Sequence, residues 1–231
     1  MKWWNKSWNP VTGCTQISDG CKNCYAKSLA NRFNGGDFSV KMHPDRLEMP
    51  LHWKKPQRIF VNSMSDLFHK NVPCDFIHKV LTTIWNCPQH TFLICTKRPE
   101  NFLNFLRKYN EGLDTVPIPL RNLHLGVTAE NQEEADKRIP ILLQIPATKR
   151  FVSVEPMLSP VLLKDSNLDW VIVGCESGTN RRHIDNKHIL SVIEQCKAQD
   201  IPIFVKQLEI DGKVTDDVAK WPAELRVREY P

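Results

Sequence analysis

The sequence predicts an α/β fold in which buried parallel strands alternate with amphipathic helices. Six short apolar runs, rich in β-branched and aromatic residues, have the length of buried strands and end in polar residues. They cover residues 58–62, 90–95, 122–127, 150–154, 169–174 and 201–205. Helix-period segments separate them, as in parallel βαβ units, which close either as a doubly wound open sheet or as a full or partial (β/α) barrel.

The remaining elements follow from local signals. A further strand is predicted over residues 4–10, just before a cysteine-rich loop, and a helix follows that loop and ends at Asn34-Gly35-Gly36. Pro99 is expected in the first turn of another helix, and Asp185 or Asn186 caps a later one. Residues 38–56 and 211–231 fit neither period and are predicted to wrap around the sheet.

Size and composition favour one domain over residues 1–231. The chain has 231 residues, of which 41% are hydrophobic, and a net charge of +5. This mildly basic balance tolerates an anionic partner without requiring one. No signal peptide or membrane span is expected, so we predict a cytoplasmic protein, in which cysteines more often bind metal or take part in catalysis than form disulfides.

Three cysteines, Cys14, Cys21 and Cys24, lie within eleven residues. A structural zinc site needs four protein ligands, and iron–sulfur clusters are normally held by four cysteine thiolates. Three clustered thiols without an adjacent fourth indicate a cluster in which one iron stays open. Each of the other five cysteines is interpreted as a small buried apolar residue.

Polar residues follow every predicted strand. Because functional sites of parallel α/β folds lie at the carboxyl ends of the strands, these residues are candidates for a site on the cysteine-loop edge. Capping of the next helix is an alternative role for Ser65, Asp66 and Asn131. Glu155 lies between apolar Val154 and Pro156 and needs a partner or ligand. The candidate residues are Asn62, Ser63, Ser65, Asp66, Thr128, Glu130, Asn131, Glu155, Gly174 and Glu176.

Several motifs together resemble one family of phage and prophage three-cysteine proteins with no assigned substrate, which is similar to the radical S-adenosylmethionine enzymes. They include Trp-Asn-Pro-Val-Thr-Gly-Cys, Gly-Cys-Lys-Asn-Cys-Tyr-Ala, Asn-Ser-Met-Ser-Asp-Leu-Phe-His, Gly-Val-Thr-Ala-Glu-Asn, Arg-Phe-Val-Ser-Val-Glu-Pro-Met-Leu and Val-Ile-Val-Gly-Cys-Glu-Ser-Gly. The resemblance extends over nearly the whole chain. One departure is the cysteine spacing, C-x6-C-x2-C here against the usual C-x3-C-x2-C.

This resemblance implies a partial (β/α)6 TIM-like barrel of the radical S-adenosylmethionine type with short N- and C-terminal extensions. It implies that Cys14, Cys21 and Cys24 hold a 4Fe-4S cluster whose open iron binds S-adenosylmethionine. Reductive cleavage of that cofactor would yield a 5′-deoxyadenosyl radical that modifies an unknown substrate. An external electron donor such as flavodoxin or ferredoxin is the implied partner.

The same resemblance assigns the strand-end residues to the cofactor. The segment from Asn62 to Asp66 matches the place of methionine amino contacts, and Thr128, Glu130 and Asn131 match that of ribose contacts. The backbone around Gly174 falls where adenine is held. A zinc-stabilised, non-catalytic binding module, with His43, His52 or Cys74 as fourth ligand, is the alternative hypothesis, and redox-sensing cysteines are a third.

The substrate stays open, with nucleic acid or a nucleotide among the candidates. Trp3, Trp4 and Trp8, together with nearby lysines, have the composition of a base-stacking, phosphate-binding surface. Packing against the barrel or shielding of the cluster is the competing interpretation of these tryptophans.

Overall fold

The computed structural model describes residues 3–33, 35–109, 116–164, 167–178 and 180–231. Its strands are β1 Lys6–Trp8, β2 Val11–Thr12, β3 Lys41–Met42, β4 Arg58–Val61, β5 Thr91–Thr96, β6 Leu123–Thr128, β7 Lys149–Val154, β8 Trp170–Val173, β9 Ile203–Val205, β10 Leu208–Ile210 and β11 Lys213–Thr215. Its α-helices are α1 Tyr25–Phe33, α2 Cys74–Trp85, α3 Pro99–Tyr109, α4 Gln132–Gln144 and α5 Asn186–Ala198. None of the described helices is long and apolar enough to cross a membrane. The helix ending predicted at Asn34-Gly35-Gly36 falls in part on residue 34, which lies outside the described residues.

Seven strands form one parallel sheet in the order β1-β4-β5-β6-β7-β8-β9, which is their order along the chain. Each strand predicted from an apolar run is present, and so is β1 within residues 4–10. Right-handed crossovers between successive neighbours put the connecting helices on one face of the sheet. The sheet curls around its other face into a half-barrel, with β1 and β9 as its two edges.

The predicted partial (β/α)6 TIM-like barrel of the radical S-adenosylmethionine type is therefore wrong. The sheet has seven strands, its edge strands are not paired to each other, and the strand–helix alternation is broken between β7 and β8. No helix forms in the described residues of that connection, 155–164 and 167–169. Pro156 and Pro160 lie there, and each lacks an N–H and disfavours a helical conformation in the residue before it.

The outer, helix-covered face of the sheet holds the main core. Ile59, Ile94 and Val152 alternate with inward-facing residues along their strands and pack, fully buried, against helix residues such as Leu81 and Ile193. Each such side chain contributes about 1.5–3 kcal/mol when it is removed from water. This burial fixes the strand register and, with it, which side chains face the inside of the half-barrel.

Large aromatic residues fill the inner face toward the amino ends of the strands. Trp3, Phe151, Trp170 and Phe204 are buried there in one cluster. Gly126 makes room for them, because a Cβ atom at this position would lie 2.4 Å from the Phe151 ring. Trp3 is only 3% exposed and Trp8 is fully buried, so both have a packing role.

The end of the chain closes the same part of the half-barrel. Residues 227–229 run antiparallel to β9, with backbone hydrogen bonds from Val205 to Val227 and from Glu229 to Ile203, both 2.9 Å. The next residue, Tyr230, packs on Trp170 and lies under the guanidinium of Arg58, 3.9 Å from its ring centroid. The end of the chain thus covers the aromatic cluster at the amino ends of the strands.

Candidate functional site

A cavity of about 600 Å³ opens at the carboxyl edge of the sheet. Its wall combines side chains from the ends of β4 to β9 with the cysteine loop, residues 13–24. We call it the strand-end cavity. Cys14, Cys21 and Cys24 all line it, and each is half-buried.

The cysteine loop follows β1 and enters the edge through a turn that only glycine accommodates. Gly13 has a φ of +80°, and a Cβ atom there would lie 1.9 Å from the carbonyl oxygen of Ser39. The Gly13 N–H donates to the Met64 carbonyl oxygen at 3.1 Å, which ties the loop to the segment after β4. A short 3₁₀ turn at Asp19–Cys21 and the start of α1 at Tyr25 then place the second and third cysteines.

Glu130 holds the middle of the loop. Its carboxylate is fully buried, accepts a hydrogen bond from the Gly20 N–H at 3.0 Å and pairs with Arg138 at 2.8 Å. Burial raises the pKa of Glu130, but the charges of Lys97 and Arg138 outweigh burial and leave the pKa lowered. The group is therefore an ionised anchor for the loop backbone.

Glu176 holds the end of the loop in the same way. It accepts a hydrogen bond from the Asn23 amide at 2.9 Å and from the Arg182 backbone and Nε at 2.8 and 3.0 Å. Arg182 also donates to the Asp19 carbonyl oxygen at 3.0 Å. Burial opposes ionisation of Glu176, but the hydrogen bonds from Arg182 and Asn23 lower its pKa overall.

Arg98 lies against the first cysteine. Its Nη1 donates to Cys14 Sγ at 3.5 Å and to Asp66 at 2.9 Å, and its Nη2 donates to the Thr15 carbonyl oxygen at 2.8 Å. Burial raises the pKa of Cys14, and the positive charge of Arg98 offsets this in part by favouring the thiolate. Arg98 is buried, although it follows Lys97 in a polar stretch of the sequence.

The inner end of the cavity carries an ion pair and an aromatic ring. Glu155, the carboxylate that the sequence predicted to need a partner, pairs with Lys206 at the end of β9. Lys206 Nζ also lies 5.8 Å from the ring centroid of Trp4, which is half-buried and lines the cavity. Lys97 lines the cavity as well and makes no ion pair with any residue in the described ranges.

Two more cysteines line the cavity. Cys175 is buried in the core, as predicted, and Cys95 is half-buried and packs against the aromatic cluster. Cys74, predicted to be a buried apolar residue, is exposed because it begins α2 at the surface. Burial raises the pKa of Cys95 to about 11 and that of Cys175 to about 12, so both are neutral thiols at physiological pH. Cys95 Sγ lies 3.4 Å from Thr128 Oγ1. The available signal was their position at the carboxyl ends of β5 and β8.

The structure brings most of the predicted site residues to the cavity wall. Glu130, Asn131 and Gly174 stand behind it, and the Asn131 side chain caps α4 by accepting from the Glu134 N–H at 2.9 Å. Asn62 and Ser65 hydrogen-bond to the backbone of Val11, which fixes the start of the loop. The predicted residues that line the cavity are Asn62, Ser63, Ser65, Asp66, Thr128, Glu155 and Glu176.

The three residues considered as a fourth zinc ligand do not line the cavity. His43 hydrogen-bonds to Thr12 Oγ1 at 2.8 Å, His52 ends a 3₁₀ turn, and Cys74 is exposed at the start of α2. Within the ranges that the structure describes, no three cysteine, histidine, aspartate or glutamate side chains converge on a point where one metal ion would bind.

Comparison with known proteins gives a single family. Residues 1–224 match the family model described as "Protein of unknown function (DUF5131)". Neither a curated protein nor a solved structure matches the chain.

Proposed function

Because the chain belongs to the DUF5131 family of unknown function, its activity has to be inferred from its own site, and we propose that it is an iron–sulfur enzyme. In this proposal Cys14, Cys21 and Cys24 hold a 4Fe-4S cluster at the strand-end cavity, and the cavity receives S-adenosylmethionine. The motif resemblance to phage proteins and to radical S-adenosylmethionine enzymes supports the choice of cofactor. The fold differs from theirs as described above, so the proposal depends on the site.

One observation carries the proposal: three thiols from one short loop line a single cavity. Thiolates are soft ligands that suit iron–sulfur clusters, and the loop has no histidine to complete a zinc set. A cluster binds each thiolate to a separate iron, so the three sulfurs need not meet at one point. Cys14, Cys21 and Cys24 therefore fit the ligand set of a cluster with one open iron.

The surrounding residues prepare the loop for this task. Glu130 holds the loop backbone at Gly20 and Glu176 holds the Asn23 side chain, so the thiols are positioned before any ligand arrives. Ligation requires the deprotonated thiol, and Arg98 favours that form at Cys14. Burial keeps the thiols of Cys95 and Cys175 protonated in the protein without a cluster, and neither belongs to the cysteine loop.

The cluster, held by Cys14, Cys21 and Cys24, would supply one electron for the reductive cleavage of S-adenosylmethionine, and the resulting radical chemistry would remove a hydrogen atom from the substrate. The proposed cofactor contacts are the cavity-lining residues Asn62, Ser63, Ser65, Asp66 and Thr128. An external electron donor such as flavodoxin or ferredoxin is part of the same proposal. The buried aromatic cluster forms the apolar inner end of this region.

The test is the iron, sulfide and zinc content of anaerobically purified protein, with electron paramagnetic resonance before and after S-adenosylmethionine. We expect about four irons per chain, in line with a 4Fe-4S cluster, and a spectrum that changes when the cofactor is added. C14A, C21A and C24A should each lose iron, whereas C74A, at an exposed cysteine outside the cavity, should keep it. Stoichiometric zinc without iron after reconstitution would support the zinc-binding module instead.

A further inference from the structure

We propose that the inner end of the strand-end cavity binds the base of a nucleotide, which is the substrate in the function proposed above. The base pocket is defined by Trp4, Phe60, Glu155 and Lys206. Three features point to this ligand: an aromatic ring on the wall, a paired hydrogen-bond acceptor and donor, and a lysine on the wall, Lys97, that makes no direct salt bridge with a described residue.

Trp4 supplies the stacking surface. Its neighbour Trp3 is buried in the aromatic cluster, but Trp4 is half-buried and lines the cavity. Phe60 supports it, with ring centroids 5.1 Å apart, and Trp3 packs edge-on at 4.7 Å. A rigid tryptophan beside an open cavity is suited to stack a planar ring, whatever the identity of the base.

The Glu155–Lys206 pair supplies the polar edge. The carboxylate accepts hydrogen bonds and the ammonium donates them, and the two side chains are 15% and 23% exposed. A nucleobase edge presents adjacent N–H and C=O groups, which such a pair satisfies together. The two charges pair with each other, and a purely apolar ring would leave their remaining hydrogen-bonding positions unsatisfied in a partly buried site.

One part of the cavity wall, at Lys97, favours an acceptor-rich group such as phosphate. The lining cations Arg98 and Lys206 pair directly with Asp66 and Glu155, whereas Lys97 has no direct salt bridge with a described residue and acts on buried Glu130 only through its charge. The lining carboxylates also include Asp216 and Glu176, which pairs with Arg182, so the cavity as a whole is not cationic. A phosphate attached to the base would therefore be bound at Lys97.

The nucleotide could be free or part of a single-stranded nucleic acid, and calorimetric titration separates these sources. The probes are the four ribonucleoside 5′-monophosphates, the matching nucleosides, and short single-stranded DNA and RNA oligonucleotides, each added to the iron-loaded protein with saturating S-adenosylmethionine. The variants are Trp4→Leu and Lys97→Met. Trp85→Leu is the matched control, because Trp85 is 46% exposed at the end of α2 and does not line the cavity.

We expect Trp4→Leu to weaken binding between about fivefold and about 150-fold, the effect of losing one base–aromatic stack. Trp85→Leu should leave it unchanged. Lys97→Met should weaken the binding of nucleotides but not that of nucleosides. It should also reduce the slope of log K against log salt concentration for oligonucleotide binding by about 0.7. Tighter binding of oligonucleotides than of monophosphates would show that the bound nucleotide is part of a nucleic acid. Tighter binding of monophosphates would show that it is a free nucleotide.

The inference is overturned if no probe binds at low salt, or if Trp4→Leu and Trp85→Leu bind equally well. It is also overturned if the probes bind only without S-adenosylmethionine, since they would then occupy the cofactor site. Iron content distinguishes this failure from that of the proposed function. If the protein binds no iron but still binds nucleotides through Trp4, the cluster proposal is wrong and the base pocket stands. If it binds four irons but no nucleotide, the base pocket is wrong and the cluster proposal stands.

Discussion

Arg98 Nη1 lies 3.5 Å from Cys14 Sγ, and the same nitrogen lies 2.9 Å from Asp66. One buried guanidinium therefore joins the first cysteine of the loop to the segments that follow β4 and β5. Asp66 in turn accepts from Thr96 Oγ1 and from the Lys97 and Phe68 N–H groups. The thiol is thus held by a network of charges and not by local chain geometry alone.

Removing the Arg98 charge should affect both the thiol and stability. In Arg98→Met the pKa of Cys14 should rise further, because burial remains and the favourable positive charge is gone. Breaking a buried ion pair costs about 3–5 kcal/mol, and the loss should be near the lower end because Asp66 keeps three other donors. Urea unfolding and the alkylation rate of Cys14 in metal-free protein measure the two effects.

Arg98→Lys is the conservative variant and should restore part of the alkylation rate, because a thiol reacts as its thiolate and the charge is retained. Arg107→Met, at an exposed arginine of α3, is the matched control and should change neither quantity. If Cys14 is alkylated equally fast in Arg98→Met and in the unchanged protein, Arg98 does not activate the thiol.

The two carboxylates that hold the cysteine loop predict how stability depends on pH. Burial opposes ionisation of Glu130 and Glu176, but their cationic and hydrogen-bonding partners lower both pKa values below the ordinary 4.5. A lowered folded-state pKa means that the unfolded chain binds more protons in this pH range than the folded protein does. The free energy of unfolding therefore decreases as the pH is lowered. The contribution is complete above the unfolded value and is lost as the pH falls through the folded values.

Glu176→Gln should reduce this dependence and destabilise the protein by about 1.5–3 kcal/mol, the range for a hydrogen bond to a charged group. The free energy of unfolding in urea, measured between about pH 6 and about pH 3, tests it. Glu224→Gln, at an exposed glutamate near the C-terminus, should leave the curve as it is. A Glu176→Gln curve parallel to that of the unchanged protein would show that folding does not lower the pKa of this carboxylate.

The strands could be predicted from the sequence, and their closure could not. Each strand of the parallel sheet is buried on both faces and therefore consists almost entirely of apolar residues, which makes it visible as an apolar run in the sequence. Whether the sheet closes into a barrel depends on the volume of the side chains on its inner face. There Gly126, which has no side chain, leaves room for the Phe151 ring, and Trp170 is buried. That fit between residues far apart in sequence leaves no periodic signal.

The candidate site shows the same division. The three cysteines and most strand-end polar residues could be identified, because their type and position are local properties of the chain. The contacts that hold the loop could not: Gly20 and Glu130 are 110 residues apart, and Cys14 and Arg98 are 84 apart. Arg98 lies next to a lysine in a polar stretch, where nothing local separates a buried cation from a solvated one.

The inner face of the half-barrel should respond to overpacking at Gly126. A Cβ atom there would lie 2.4 Å from the Phe151 ring, so Gly126→Ala should destabilise the protein by about 1–3 kcal/mol. Phe151→Leu in the same chain should relieve the clash, so that the double variant loses less than the sum of the two single losses. Gly174→Ala, whose Cβ would meet nothing closer than 3.3 Å, is the milder control, and urea unfolding compares all four. If the double variant instead loses the sum of the two single losses, the Phe151 ring is not what the added methyl group clashes with, and the strands themselves must shift.

Cys95 and Cys175 should resist alkylation although they line the cavity. Burial raises their pKa values to about 11 and about 12, and the thiolate is the reactive form. With iodoacetamide at neutral pH and peptide mass spectrometry, exposed Cys74 should be modified well before these two. Thr128→Val should slow Cys95 further, since the Thr128 hydroxyl, 3.4 Å from the sulfur, partly lowers its pKa. Rapid modification of Cys95 or Cys175 at neutral pH would instead identify them as reactive thiols of the site. Single substitutions of all five cavity cysteines would then be needed to show which of them bind iron.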